Sequence, residues 1–444
     1  MGQPGHPREP PAPSADWHAG QAVSNTNGEA SSGGERSEGD GWPVASAAPD
    51  RPAFAGTWRR ARDATRLVFP PLVAFVLATA LLWVVAARTG YPPRQATTWA
   101  RWDSGQYVSI AVRGYYTVDC TSRMVPPDAP PGPHLCGNTG WFPLYPWAMR
   151  AVSKLGLSVV QAGVLIAALF HLLSLMVLWA MAREPGHPSR FLVLLLAAVF
   201  PGAVYQHAVF PISMMTFFTI GFLYLLGTWR WIWAGVSGAA AAASYISGVL
   251  LAPVAPAVAI LAVGWRPGWR TALRSGITAV IVAAGFVGVL IVQYLAVGIW
   301  GAYFQSTRKY GVGIQNPIPN FVSTVSPFFE QLRGMPVPRR QYIEAVQTLT
   351  VAAIVVLIVA ATLAPLIRGQ LSNTDWAVLV TTLGLWIFPH VSGVAASQYR
   401  SEALLLPCVL LARRLPLALQ AGLVAVSIAV LWIMAPEFFT GLLR

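Results

Sequence analysis

The sequence predicts an all-α polytopic membrane protein, on three observations. Hydrophobic residues make up 55% of the chain and charged residues 11%, a balance that suits a bundle solvated by lipid rather than a water-soluble globule. Several apolar runs reach the roughly 20 residues that a helix needs to cross about 30 Å of hydrocarbon. Backbone in lipid must satisfy its own hydrogen bonds, which leaves helices or closed barrels, and the short alternating segments of a barrel do not occur.

The formal charge of +13 sits mostly as Arg at segment ends: Arg59, Arg60, Arg62 and Arg66; Arg183 and Arg190; Arg266, Arg270 and Arg274; Arg413 and Arg414. Cytoplasmic loops carry such an excess, so the basic balance reads as topology. A nucleic-acid partner is not expected.

Residues 1–56 are rich in Gly, Pro, Ser, Ala and acids without apolar periodicity, which predicts a disordered cytoplasmic tail. No signal-peptide pattern is present in it. The membrane domain, 57–444, begins with a helix over Leu67–Ala87, and residues 88–156 form a long first outer loop. In that loop Arg101–Gly114 predicts a short interfacial helix with Trp102, Tyr107, Ile110 and Ala111 on one face. Cys120 and Cys136 lie together on the oxidising side, where a disulfide is expected. Trp141–Arg150, aromatic and broken by proline, reads as a re-entrant segment buried in protein.

Ten further apolar segments come after it, at Leu157–Ala182, Phe191–Ala208, Phe210–Thr228, Trp231–Leu250, Pro253–Gly264, Ile277–Trp300, Val346–Ile367, Trp376–Val391, Ala403–Ala412 and Leu415–Met434. With the first they predict ten or eleven crossings. The small-residue run Gly235–Ser244 predicts close helix packing. Residues 301–345 form a second outer loop, and Ser397–Glu402 is expected on the same side. Cys408, in an apolar run, reads as core.

Ionisable groups near the membrane core are costly, so an acid among aromatics there points to function. Asp103, between Trp102 and Ser104-Gly105, is the leading candidate: a general base for an acceptor hydroxyl, a ligand for a divalent metal ion, or an N-cap of the short helix. Arg101, Arg308, Lys309 and Arg400 come from three outer segments. They can bind a phosphate or diphosphate or anchor to anionic headgroups; three loops each carrying one favour a shared anionic ligand. Trp141, Phe142, Tyr145 and Trp147 read either as an interfacial belt or as a sugar-stacking wall. His171 and His207 are expected to hydrogen-bond between helices. No zinc spacing, Gly-rich phosphate loop or nucleophile elbow occurs.

The run Arg101-Trp102-Asp103-Ser104-Gly105-Gln106-Tyr107, its continuation Ile110-Ala111 with Arg113-Gly114-Tyr115, and the block Trp141-Phe142-Pro143-Leu144-Tyr145-Pro146 resemble the first-loop signature of the PIG-V type mannosyltransferases. Phe200-Pro201, Phe304-Gln305 and Tyr399-Arg400 before a Leu-Leu-Pro run match that family's later blocks in position. Two blocks depart from it. Relatives commonly carry Tyr-(Ser/Thr)-Glu-Ser where this chain has Phe210-Pro211-Ile212-Ser213. They tend to carry Thr-Arg-Pro-x-Gly where it has Ser244-Tyr245-Ile246-Ser247-Gly248.

The resemblance implies a GT-C-like helical bundle in the cell membrane that moves mannose from a polyprenyl-phosphate carrier to a lipid, glycan or protein acceptor on the outer face. Asp103 would be its catalytic acid residue, as base or metal ligand. Arg308, Lys309 and Arg400 would hold the donor phosphate; Arg101, Trp102, Tyr107, Trp141, Phe142, Tyr145, Gln305 and Tyr399 would complete the substrate site. Two other readings stand beside it: an inactive scaffold of the same fold, which the departures keep open, and a transporter or flippase of lipid-linked saccharides. The second is disfavoured by the scarcity of charge in the central crossings and the lack of an internal repeat.

Overall fold

A computed structural model describes residues 53–126, 129–182, 190–264, 266–393 and 398–443. The expected tail at 1–56 lies almost wholly outside these residues, as do Arg183, Ser397 and the side chains of the Arg cluster at 59–66. The chain divides after Ala55, and the unit from Gly56 holds the spanning helices and every residue of the candidate site.

Helices dominate, as predicted. α1 (Ala53–Arg88) leads through a 3-10 turn at Ala96–Trp99 to α2 (Ser104–Arg113), the strands β1 (Thr117–Asp119) and β2 (Leu135–Gly137), and α3 (Leu144–Ser153). Next come α4 (Val159–Met181), α5 (Arg190–Ala198), α6 (Val204–His207), α7 (Ile212–Gly227) and α8 (Trp231–Ser244). A 3-10 turn at Ile246–Leu250 runs into α9 (Leu251–Val263), followed by α10 (Trp269–Val297), α11 (Ala302–Arg308), α12 (Pro317–Leu332), α13 (Arg339–Ile367) and α14 (Asn373–Ser392). The chain closes with α15 (Gln398–Glu402), a 3-10 run at Ala403–Cys408, α16 (Val409–Ala412) and α17 (Leu417–Phe439).

Among the described residues six helices are long and apolar enough to cross a bilayer: Leu67–Arg88, Val159–Met181, Ile246–Val263, Trp269–Val297, Arg339–Ile367 and Leu417–Phe439. The remaining apolar segments differ from uninterrupted crossings in identifiable ways. α7 is apolar but has 16 residues, α8 has 14, and α14 has the length but is less apolar. Phe191–Ala208 is broken after Ala198 because Pro201 offers no N–H and Gly202 takes a left-handed backbone (φ 84). Ala403–Ala412 is likewise a 3-10 run around Pro407 ending in a single helical turn.

These two broken segments pack on each other. Gly202 lies against Ala403 and the Tyr399 carbonyl, where a Cβ would not fit, and the Gln206 amide donates to the Ala403 carbonyl (3.1 Å) and the Thr216 hydroxyl (3.1 Å). Every residue from 196 to 216 and from 398 to 412 is buried. Irregular backbone amid spanning helices is tolerated only when protein covers it.

The small-residue run does what its composition predicts. At Gly285 a Cβ would collide with the Ala239 carbonyl, so α8 and α10 approach at backbone distance, and at Gly238 a Cβ would meet the Val282 and Phe222 side chains of α10 and α7. At the other end of the bundle Asp375 closes a capping box with Ser372 and accepts from Arg413 (2.8 Å) and Arg414 (2.7 Å). The two arginines therefore join the start of α14 to the start of α17. Cys408 is a buried free thiol, as expected.

Candidate functional site

Asp103 stands where the chain turns into α2. Trp102 has a left-handed backbone (φ 47), a conformation costly for a bulky side chain, and it swings Asp103 into the N-cap position. The capping alternative does not hold: Asp103 makes no side-chain cap bond, and the Ser104 hydroxyl accepts from the Arg101 N–H instead (3.0 Å). The carboxylate Oδ2 accepts a hydrogen bond from Arg400 Nη1 in an ion pair between the first loop and α15. The Arg400 side chain is 8% exposed and that of Asp103 29%, so the carboxylate is the member reachable from outside. Burial works against the Arg400 charge, but Asp103 and the neighbouring tyrosines more than restore it and hold its pKa well above the usual arginine range.

Aromatic rings form the floor beneath this pair. The Arg400 guanidinium lies 5.5 Å from the centre of the Phe210 ring and 6.0 Å from that of Tyr399. Phe210 meets Tyr205 edge-on at 5.5 Å and Tyr107 at 6.0 Å, while Tyr205 lies 5.5 Å from Tyr399. Tyr107 in turn meets Tyr145 edge-on at 5.7 Å. Tyr245, at the bend between α8 and the following 3-10 turn, acts electrostatically on both Arg400 and Tyr107. Burial, then Tyr245, then Asp103, push the Tyr107 hydroxyl well above the usual tyrosine range.

The rest of the first loop is tied to the bundle at several points. The Val209 N–H donates to the Trp99 carbonyl (2.9 Å), and Tyr115 Oη to the Trp141 carbonyl (2.8 Å). The buried Asn138 side chain bridges the Tyr116 N–H (2.9 Å) and the Gly114 carbonyl (2.9 Å). β1 and β2 pair antiparallel with Val118 opposite Cys136, and Cys136 is bridged to Cys120 as expected. Against that bridge sits Lys309: its ammonium lies 3.2 Å from Cys136 Sγ and is buried. No ion pair to it is formed among the described residues, and burial lowers its pKa below the usual lysine range. The adjoining Tyr310 is raised by burial and then by the charge of Asp103, so the Tyr310 hydroxyl lies within electrostatic reach of that carboxylate.

Other residues expected at the site divide by their surroundings. Trp102 is 45% exposed and precedes the helix, so it does not share the buried face formed by Tyr107, Ile110 and Ala111. Arg101 lies over the Tyr91 ring (4.6 Å). Arg308 is exposed, and Gln305, also exposed, donates to the Trp300 carbonyl (3.3 Å). Phe142 packs with Val289, Tyr303 and Phe286; Tyr145 is fully buried, its hydroxyl donating to the Gly163 carbonyl (2.9 Å). A sugar-stacking wall therefore does not include these two rings; they are packing beneath the loop. Trp141 is half-buried against the core. Tyr399, at 0% exposure, supports Arg400 from below.

Sequence reasoning passed over the polar group behind Arg400. Glu402 is buried and forms no ion pair among the described residues; it accepts from the Gln347 amide (2.8 Å) and the Gln398 amide (3.3 Å), and Gln398 also meets the His390 ring (3.2 Å). Burial pushes Glu402 up to about 7, against the pull of its hydrogen bonds from Gln347 and Gln398. Its signal was present as an acid two residues after Arg400, but nothing local reveals that it is buried among amides. Phe210 and Tyr245 stood out only as departures from a family pattern.

The expected bonds of His171 and His207 also change. Their rings meet at 4.9 Å beside Phe75, and among the described residues neither His171 nitrogen has a hydrogen-bond partner. They pack as rings.

The donor set at Asp103 does not fit a divalent metal ion. Its charged neighbour is a guanidinium, and among the described residues no three His, Cys, Asp or Glu side chains gather. What the arrangement can do is hold a carboxylate at an accessible edge with one buried cation paired to it, while a second buried cation, Lys309, stands against the disulfide of the same loop. No protein-family model matches this chain, and no curated protein does.

Proposed function

We propose that the chain is a membrane glycosyltransferase moving mannose from a polyprenyl-phosphate carrier to a lipid, glycan or protein acceptor on the outer face of the cell membrane. The observation that carries the reading is the ion pair of Asp103, in the first loop, with the buried Arg400 from a distant stretch of chain, at a carboxylate that keeps an open edge. The choice of mannose and of the carrier comes from the resemblance to PIG-V type enzymes. The disulfide supports an outer position for the loop, because such bonds persist in oxidising compartments.

In this reading the polyprenyl phosphate is already a good leaving group. Lys309 and Arg400 hold its charge, and the acceptor hydroxyl attacks the anomeric carbon as the bond from that carbon to the phosphate oxygen breaks. Asp103 takes the hydroxyl proton, and the phosphate leaves on its carrier with the bond's electron pair. The two departures fall at this same place: Phe210 lies under Arg400, and Tyr245 stands where relatives carry Arg.

An inactive scaffold is the second reading, favoured by one observation: Asp103 and Arg400 satisfy each other without any substrate. The deciding experiment incubates purified protein in liposomes with labelled polyprenyl-phosphate-mannose and membrane lipids. Transfer of label by the wild type, and none by Asp103→Asn, supports the enzyme. No transfer to any lipid, glycan or protein fraction supports the scaffold.

A further inference from the structure

Beside the aromatic floor of the Asp103 centre, α12 and the start of α13 line an open cleft of about 520 Å³, well within the size range of small-ligand sites. Its lining is unlike the aromatic floor of the centre. Ser323 and Thr324 face it from α12, their hydroxyls donating to the Asn320 carbonyl (2.9 and 2.8 Å) and so keeping lone pairs to accept with. Glu330 adds a half-buried carboxylate that forms no ion pair among the described residues. Across from them stand Gln341 and the Arg340–Glu344 pair (2.8 Å).

We infer that this cleft binds a neutral saccharide through Glu330, Gln341 and the Arg340–Glu344 pair. Its lining offers acceptors at Ser323, Thr324 and Glu330 and donors at Gln341 and Arg340, the mixture that the hydroxyls of a sugar ring satisfy. Two carboxylates and one guanidinium leave its wall net negative, which disfavours a phosphate. An apolar ligand would strip water from the Glu330 carboxylate without replacing it. On a separate face of α12 Ile318, Val322 and Phe329 are exposed at 70%, 54% and 47%, a stripe suited to the lipid interface. The cleft thus opens at headgroup level, where both a free and a lipid-linked sugar can reach it. The inference does not depend on the transfer reaction: the residues that carry it lie on α12 and α13, not on the first loop or α15.

The test uses the full chain in phosphatidylcholine nanodiscs, free of sugar-headed detergent. The probes are labelled mannotriose and maltotriose in solution and a neutral dihexosyl diacylglycerol in the disc. Saturable binding of at least one is expected, weakened about tenfold by Glu330→Gln and by Gln341→Ala, as for loss of one charge-assisted or polar contact. Asp103→Asn should bind as the wild type does, and inorganic phosphate should not compete. Binding of the trisaccharides points to a free glycan, and binding of the glycolipid alone to a membrane source. Failure of all three probes to bind overturns the inference, as does binding that neither cleft variant weakens or that phosphate displaces. Saccharide binding without transfer would leave the cleft standing and remove the enzyme reading; transfer without saccharide binding would do the reverse.

Discussion

Arg400 donates to Asp103 across 297 positions of chain, and the pair joins the first loop to a segment near the C-terminus. The arginine is enclosed by aromatic rings while the carboxylate keeps an open edge, so the two members carry different tasks. Asp103→Asn keeps the shape and one hydrogen-bond acceptor but cannot take a proton. It should express and insert as the wild type does, with transfer reduced to background in the labelled-donor assay; normal turnover would refute the proposed role of Asp103.

Removing the other member should tell on stability. Arg400→Met leaves Asp103 without its cation and is expected to lower stability by about 2 kcal/mol, less than for a fully buried pair because the carboxylate is partly hydrated. The double variant Asp103→Asn, Arg400→Met should lose less than the two single losses added. Thermal unfolding in one detergent checks this, and strict additivity would show that the pair is not coupled.

The Cys120–Cys136 bridge closes a loop with a sequence separation of 16, and chain entropy puts its contribution at about 3 kcal/mol. Since Lys309 rests on Cys136, the paired Cys→Ser variant should lower the unfolding temperature and also raise KM for the donor more than it lowers kcat. A stability loss with unchanged KM would separate the bridge from the proposed phosphate site.

Lys309 gives the donor step an alkaline limit. Its ammonium is held below the ordinary lysine range by burial, so it loses its proton, and its hold on an anion, at a lower pH than a surface lysine would. Donor affinity should therefore fall as pH rises through that lowered value. Lys309→Arg should move the limit to higher pH, because guanidinium stays charged. A pH profile of KM that is the same in both proteins would count against donor contact.

Glu402 sets a stability slope of the opposite origin. Its pKa is raised by burial to about 7, so the folded chain binds a proton that the unfolded chain releases. Stability then falls as pH rises from the ordinary carboxylate range to about 7, and levels off above it; the full effect is on the order of 3 kcal/mol. Glu402→Gln should flatten this slope and raise the unfolding temperature at pH 8. An unchanged slope would show that another group titrates there.

Much of this was legible in the order of residues. The small run at Gly235–Ser244 announced the close approach of α8 to α10, and Cys120 and Cys136 their pairing, because both depend on composition within a short window. The helical stripe of Tyr107, Ile110 and Ala111 was readable for the same reason. Trp102 was misplaced on it, since a left-handed turn at a tryptophan has no local signal. Phe142 and Tyr145 looked like a binding wall and are packing, because an aromatic side chain reads alike in either place until its neighbours are known. The breaks at Pro201 and Pro407 were visible as prolines, but not that the two broken segments would meet.

What the sequence alone determined is the solvent and the main actor: apolar runs of spanning length call for lipid, and an acid among indoles in a long loop stands out by its cost. Only the tertiary structure decided the company that acid keeps. Hydropathy is summed along neighbouring residues, whereas the Asp103–Arg400 pair, Lys309 against the disulfide and the buried carboxyl of Glu402 arise where distant segments converge, and no stretch of chain holds that information by itself.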